Sequence, residues 1–355
     1  MASNDKVWTK ELVQEHARTA VAVELYTLPF YLTVLSSIKL DGAKPGTHPH
    51  EIYQAILSVC IEEMLHLQLA ANLCLAVDTT PNFTAPKYGI PIPYLKPSDP
   101  DTKHDSLINA IPGALNETTL EMMLDIETPT EFDEEDHTTP NYPYYTLGSM
   151  YNALLAGIET VGVDQFSWNT TNQQVVFTYS NDGGKTYTEN ALQISQTISN
   201  IEDAREAINL INAQGEGQTK KNPPQPPYKE EDFKVRKKYR FVSYRSNGKK
   251  VDSEENDPRS LNKYSHFGRF VWIQNQIKEN GFPEVYSVTT PQDELDNIRL
   301  SSAYTLLLVG FNDLLHTLNC MWNTGQQGDF WTIMPQLVKL PQNCWKAGAI
   351  PKWSL

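Results

Sequence analysis

Ile61-Glu62-Glu63-Met64-Leu65-His66-Leu67-Gln68-Leu69-Ala70 lies in the middle of a long apolar run. The spacing predicts a helix over about 51–77. Its seam reads Ile56, Val59, Glu63, His66, Ala70, Leu73, Val77, at intervals of three and four residues. Two inward positions of that seam carry a carboxylate and an imidazole. An unpaired ionised carboxylate is costly to bury, so Glu63 needs a partner or a metal. Glu-x-x-His puts both side chains on one helix face, as dinuclear carboxylate bundles require. A buried Glu–His hydrogen bond with a purely structural role satisfies the same pattern. Glu62 competes with Glu63 for His66 but lies off the seam.

A second helix precedes this one, over about 10–38. Its stripe is Val13, Ala17, Val21, Glu24, Leu28, Tyr31, Leu35, so a carboxylate again interrupts an apolar seam. Pro29 is expected to kink it. Between the two helices, His48 and His50 read as solvated loop residues. Downstream, a proline-rich connection spans 81–100, and Ile90-Pro91-Ile92-Pro93-Tyr94 reads as an extended segment on the bundle surface. Further helices are predicted over about 116–126, 146–161, 198–213, from 261 onward, and over 293–322. Residues 131–137 read as a solvated acidic run. Residues 174–189 switch to strand-like composition around Ser180-Asn181-Asp182-Gly183-Gly184, a β-hairpin signal, and a second hairpin is expected near 246–248. The Pro- and Trp-rich tail, 335–355, is expected to pack across the bundle. The fold class is all-α: one helical bundle over 1–355, with core helices over about 10–275, a C-terminal helix and tail over 290–355, small β-hairpin insertions and long proline-rich loops.

Hydrophobic residues make up 40% of the 355-residue chain, and the formal net charge is −14 with no basic run. That balance argues against nucleic acid or an anionic membrane as partner. No apolar run reads as transmembrane, and the N-terminus lacks an apolar signal core, so a cytoplasmic location is expected. Cys60, Cys74, Cys320 and Cys344 have no metal-ligand spacing and read as reduced thiols.

A dinuclear site needs about four carboxylates and two imidazoles from four helices. Glu24, Glu63 and His66 supply half. For the rest the chain offers Glu127, Glu159, Glu202, Glu206, Glu216 and His266, and also Asp313-x-x-His316 on the last long helix.

Five motifs in order add a resemblance. Val23-Glu24-Leu25-Tyr26-Thr27-Leu28-Pro29-Phe30-Tyr31-Leu32, Glu62-Glu63-Met64-Leu65-His66 and Ile126-Glu127-x-Pro129 come first. Gln214-Gly215-Glu216-Gly217 and Ser265-His266-Phe267-x-Arg269-Phe270 follow. Over about 10–275 the chain thus resembles ferritin-like proteins related to iminophenylpyruvate dimer synthase of violacein biosynthesis. The resemblance implies a ferritin-like bundle with a metal site carried by Glu24, Glu63, His66, Glu216 and His266. It departs at Leu147-Gly148-Ser149-Met150-Tyr151, where serine stands in place of an acid, so that the site either lacks that ligand or takes Glu159 as its substitute.

Mixed oxygen and imidazole ligands suit iron, two ions per chain, with manganese as the alternative. The expected activity is O₂-dependent oxidation of a small, amino-acid-derived metabolite in specialised biosynthesis. A non-catalytic metal-binding or structural bundle is the second reading. Small-molecule substrate and O₂ are the expected partners, and the acidic surface leaves room for a homodimer.

Overall fold

The computed structural model describes residues 7–90, 92, 110–129, 140, 144, 146–168, 174–176, 180–181, 185–186, 197–217, 227–240, 261–326 and 328–354. Two long helices form its axis. Helix α1 spans Lys10–Ser37, opened by Thr9, whose side chain accepts from Leu12 N. Helix α2 spans His48–Ala76, with proline in its first turn. It starts three residues earlier than the apolar run suggests, because Pro49 at the first helical turn has no N–H to lose. His48 and His50 therefore lie in the helix and not in a loop, and His48 Nε2 sits 2.8 Å from the Gly281 carbonyl.

Both predicted seams are buried along their length. Burial in fact extends around the whole of α1 from Val23 and of α2 from Glu62. Burial on all sides has two consequences. By length and composition both helices are apolar enough to cross a membrane, although no run in the sequence reads that way. However, 89% and 94% of the residues concerned are covered by the protein itself. The burial also places Glu62, off the seam, in the interior. Helix α1 continues past Pro29 as one element.

Around this pair pack α3, Glu117–Ile126, and α4, Leu147–Val161. Asn116 opens α3 with a reciprocal capping box, and the Thr146 side chain caps α4. Helices α5, Ile201–Gly215, and α6, His266–Asn280, follow, with Asn200 and Ser265 as side-chain caps. Helix α7 spans Glu294–Thr324. Strands β1, Ser180–Asn181, and β2, Lys185–Thr186, pair antiparallel where the hairpin is expected, with Ser180 opposite Thr186. The acidic run at 131–137 and the hairpin expected near 246–248 lie outside the described residues.

The tail packs against the bundle as expected, and its helices are what the composition did not suggest. It forms α8, Phe330–Ile333, and α9, Gln336–Lys346, despite Pro335 and Pro341. Pro335 precedes the helix, and α9 continues through Pro341. The tail packs on α1, and two of its tryptophans hydrogen-bond to the same residue there: Trp345 Nε1 donates to the Thr33 carbonyl at 3.1 Å and Trp353 Nε1 to Thr33 Oγ1 at 2.8 Å. Helix α7 is fastened to α2 by Asn72, whose Oδ1 accepts from Trp322 Nε1 at 2.9 Å. Cys60, Cys74 and Cys344 are buried, Cys320 is exposed, and all four are free thiols.

Candidate metal centre

The α1–α2 pair brings Glu24 and Glu63 to face each other, with His66 one turn beyond Glu63. The far wall is built by chain ends and caps. Glu127 is the C-cap of α3, and Glu216 is the C-cap of α5. His266 is the first residue of α6. All six are buried, and all but His266 line one cavity of about 20 Å³ with Ile126, Leu147 and Ile211. Glycine makes the crowding feasible: a Cβ on Gly215 would stand 3.2 Å from Glu127 Oε2. Gly217, at φ +99°, adopts a left-handed backbone that turns the chain away just after Glu216.

Both imidazoles are held from behind. His66 Nε2 lies 2.9 Å from Gln214 Oε1, and the Gln214 amide donates to the Tyr239 carbonyl. This fixes Gln214 with its oxygen toward the ring, so Nε2 carries the proton. The free Nδ1 then faces Glu24 Oε2 at 3.8 Å and Glu63 Oε1 at 3.9 Å. His266 Nε2 lies 2.9 Å from Glu62 Oε2. Its Nδ1 approaches Glu63 Oε1 to 2.7 Å and Glu127 Oε2 to 3.5 Å, yet has no aligned hydrogen-bond partner. The two rings stack with centroids 5.1 Å apart. Glu63, His66 and His266 thus converge as three donors within 4.8 Å of one another.

The carboxylates are also held. Tyr151 donates to Glu24 Oε1 at 2.5 Å, Tyr31 to Glu127 Oε1 at 2.7 Å and Thr27 to Glu63 Oε2 at 2.7 Å. Gly148 N donates to Glu216 Oε1 at 2.9 Å. Glu62 forms a two-pronged ion pair with buried Arg269, at 2.9 and 2.7 Å.

Charge explains the titration of the cluster. Five buried carboxylates face one guanidinium and two imidazoles, an excess of negative charge that calls for protons or metal cations. Burial, then the Glu63 charge, pushes Glu24 well above the usual carboxylate range and Glu127 upward. Burial opposes ionisation of Glu63 too, but His266 and then His66 outweigh it and bring it down to about 2. Burial lowers His66 to about 4. For His266, burial is overridden by Glu127, Glu62 and Glu63, which hold it well above the usual imidazole range. At Glu62 the Arg269 charge overcomes burial and lowers the carboxyl.

Of the residues the sequence singled out, Glu24, Glu63, His66, Glu216 and His266 meet here. Glu159 does not. It is exposed in the last turn of α4 and pairs with Arg205 of α5. Inward positions of α4 are Tyr151, Leu154 and Ile158, and Glu159 is rotated about 100° from the last of these. Glu127 occupies the place proposed for Glu159. Glu202 and Glu206 are surface partners of Arg205 and Lys238. Asp313 and His316 are exposed on α7, where His316 contacts Cys320. The residues the sequence undervalued are Glu62, Arg269 and Gln214. Glu62 and Arg269 stood in the quoted motifs beside His66 and His266, and Gln214 stood beside Glu216.

A family model described as ferritin-like matches residues 17–274. The chain belongs to the ferritin-like family. A crystal structure of a ferritin-like protein from Caulobacter vibrioides is similar at 25% identity and a TM-score of 0.67, covering 98% of this chain and 100% of that one. No curated protein matches. The span matched by the family model contains all six clustered residues and ends before α7, whereas the similarity to the Caulobacter vibrioides structure takes in nearly the whole chain.

Proposed function

We propose that this ferritin-like chain is an O₂-dependent non-haem dimetal oxidoreductase, with two iron ions as the favoured occupants and manganese as the alternative. The observation that supports this reading is the pair of histidines, each pinned at Nε2 and turned by Nδ1 toward Glu63. His266 Nδ1 in particular is buried and lacks an aligned partner. Four carboxylates and two imidazoles are the donor set of a ferritin-type dinuclear site. Glu24, Glu63 and His66 would hold one side, and Glu127, Glu216 and His266 the other. The bound ions would supply the redox chemistry by which O₂ oxidises a substrate.

The chain's own residues supply the rest. Gln214 and Glu62 hold the Nε2 side of each ring and would leave Nδ1 for a metal, a role whose loss weakens metal binding about 10–100-fold in comparable sites. Tyr151, Tyr31 and Thr27 orient three carboxylates. Ile126, Leu147 and Ile211 give the cavity an apolar part to its lining. The motif resemblance to the relatives of iminophenylpyruvate dimer synthase supports a small amino-acid-derived metabolite as substrate. The second reading, metal binding without turnover, draws on the cavity's size, about 20 Å³, which leaves no room for an organic molecule beside the cluster.

The test is anaerobic Fe²⁺ loading, desalting and elemental analysis, followed by O₂ exposure. About two iron per chain and O₂ uptake stimulated by an organic co-substrate are expected. Less than about 0.1 metal per chain after loading would reduce the cluster to a structural network and remove the reading.

Loading should also release protons. At neutral pH, His266 keeps its second proton, and Glu24 and Glu127 hold theirs further up the scale than ordinary carboxyls. Metal must displace what these groups carry, whereas His66, lowered to about 4, is already neutral. Affinity is therefore expected to fall as pH is lowered from about 8 to about 6. Calorimetry in buffers of different ionisation enthalpy reads the release directly. A binding enthalpy independent of buffer would contradict this charge assignment.

A further inference from the structure

We propose that the hollow between the α1–α2 pair and the C-terminal helices α8 and α9 is a binding site for a neutral, apolar small molecule. Its volume is about 330 Å³. Protein interiors carry few voids larger than a water molecule, whereas small-molecule sites begin at about 300 Å³. One wall is Leu28 and Leu32 of α1 with Leu57 and Met64 of α2. The other includes Trp331 and Val338. No lining side chain carries a charge, an amide or a hydroxyl. A charged or strongly hydrogen-bonding ligand would be desolvated there without compensation, while a neutral apolar one gains from every atom removed from water.

The mouth carries the same signature. Ile61, 36% exposed, and Trp331, 41% exposed, are lining residues that reach solvent. The occupant therefore enters across an apolar lip. The hollow shares no lining residue with the cavity at the metal centre. It is a second site. Half of its wall comes from α8 and α9, which lie beyond the span matched by the family model.

The experiment is a fluorescence titration of the full chain with N-phenyl-1-naphthylamine, a neutral apolar probe that brightens on leaving water. Saturable binding of one probe per chain is expected, with a dissociation constant in the micromolar range. Val338→Trp and Leu57→Trp fill the hollow from opposite walls, and each should weaken binding by about tenfold or more with an unchanged far-ultraviolet circular dichroism spectrum. If one substitution disturbs folding, the other decides. The anionic analogue 8-anilinonaphthalene-1-sulfonate should bind about tenfold more weakly than the neutral probe. A non-saturating signal overturns the site, and so does parent-like binding in whichever variants fold. Equal affinity for the anionic probe overturns the assignment of a neutral ligand.

Discussion

An Arg269→Met variant is expected to lose about 3–5 kcal/mol of unfolding free energy at neutral pH. Arg269 is buried and fully used. Its Nε donates to the Leu261 and Tyr264 carbonyls, Nη1 to Ser58 Oγ, and the two terminal nitrogens grip Glu62. Methionine keeps much of the volume but leaves Glu62 ionised in the interior with only His266 beside it. The sign of the pH dependence follows. In the parent, Glu62 titrates below its unfolded value, so its contribution is present above that value and fades as pH falls through the folded one. Without Arg269, burial is opposed by His266 alone and the carboxyl rises, so the variant's deficit is largest at neutral pH and shrinks on acidification. Equilibrium urea unfolding at about pH 7 and about pH 4 measures both. The double variant Glu62→Gln with Arg269→Met removes the stranded charge and should recover part of the loss. A single variant within about 1 kcal/mol of the parent at neutral pH would show that the pair is not an energetic element of this core.

This ion pair also shows where sequence reasoning runs out. Periodicity ranked Glu63 over Glu62 correctly as the seam residue. It could not show that α2 is wrapped on all sides, because that depends on α6, whose His266 lies 204 residues from Glu62 in the chain. The same limit governs Glu127 and Glu159. A 3.6-residue period describes side chains within a helix, and Glu127 acts from the residue that ends one. Glu159 looked suitable because it lies on an apolar helix, although its neighbours Leu154 and Ile158 already claim the inward face. Glu24, Glu63 and His66 were legible because a polar residue on an apolar seam is a physical anomaly. Glu216 and His266 stood among several candidates by residue type and were singled out only through motif order, since glycine-flanked and cap positions carry no periodic signal. The helical tail was hidden by its prolines.

The two histidines of the centre are expected to fail differently when removed. His66 is neutral in the folded chain, lowered to about 4 by burial, and its one hydrogen bond is to Gln214. His66→Ala therefore strands a neutral amide oxygen and opens a small cavity, a loss of about 1–3 kcal/mol. His266 is charged and stands among Glu62, Glu63 and Glu127. Its removal leaves those carboxylates to repel one another or to take up protons, so His266→Ala costs more stability and its deficit grows as pH rises through the carboxylate range. Metal content separates structural from ligating roles. After anaerobic Fe²⁺ loading and desalting, the parent should retain about two iron per chain and His66→Ala at most about one, with its circular dichroism and cooperative unfolding preserved. Loss of metal from a folded His66→Ala protein cannot be ascribed to collapse of the bundle, which is why this variant is the more informative of the pair. A His66→Ala protein that holds the full parent complement of iron would remove His66 from the ligand set and leave its contact with Gln214 as a packing interaction.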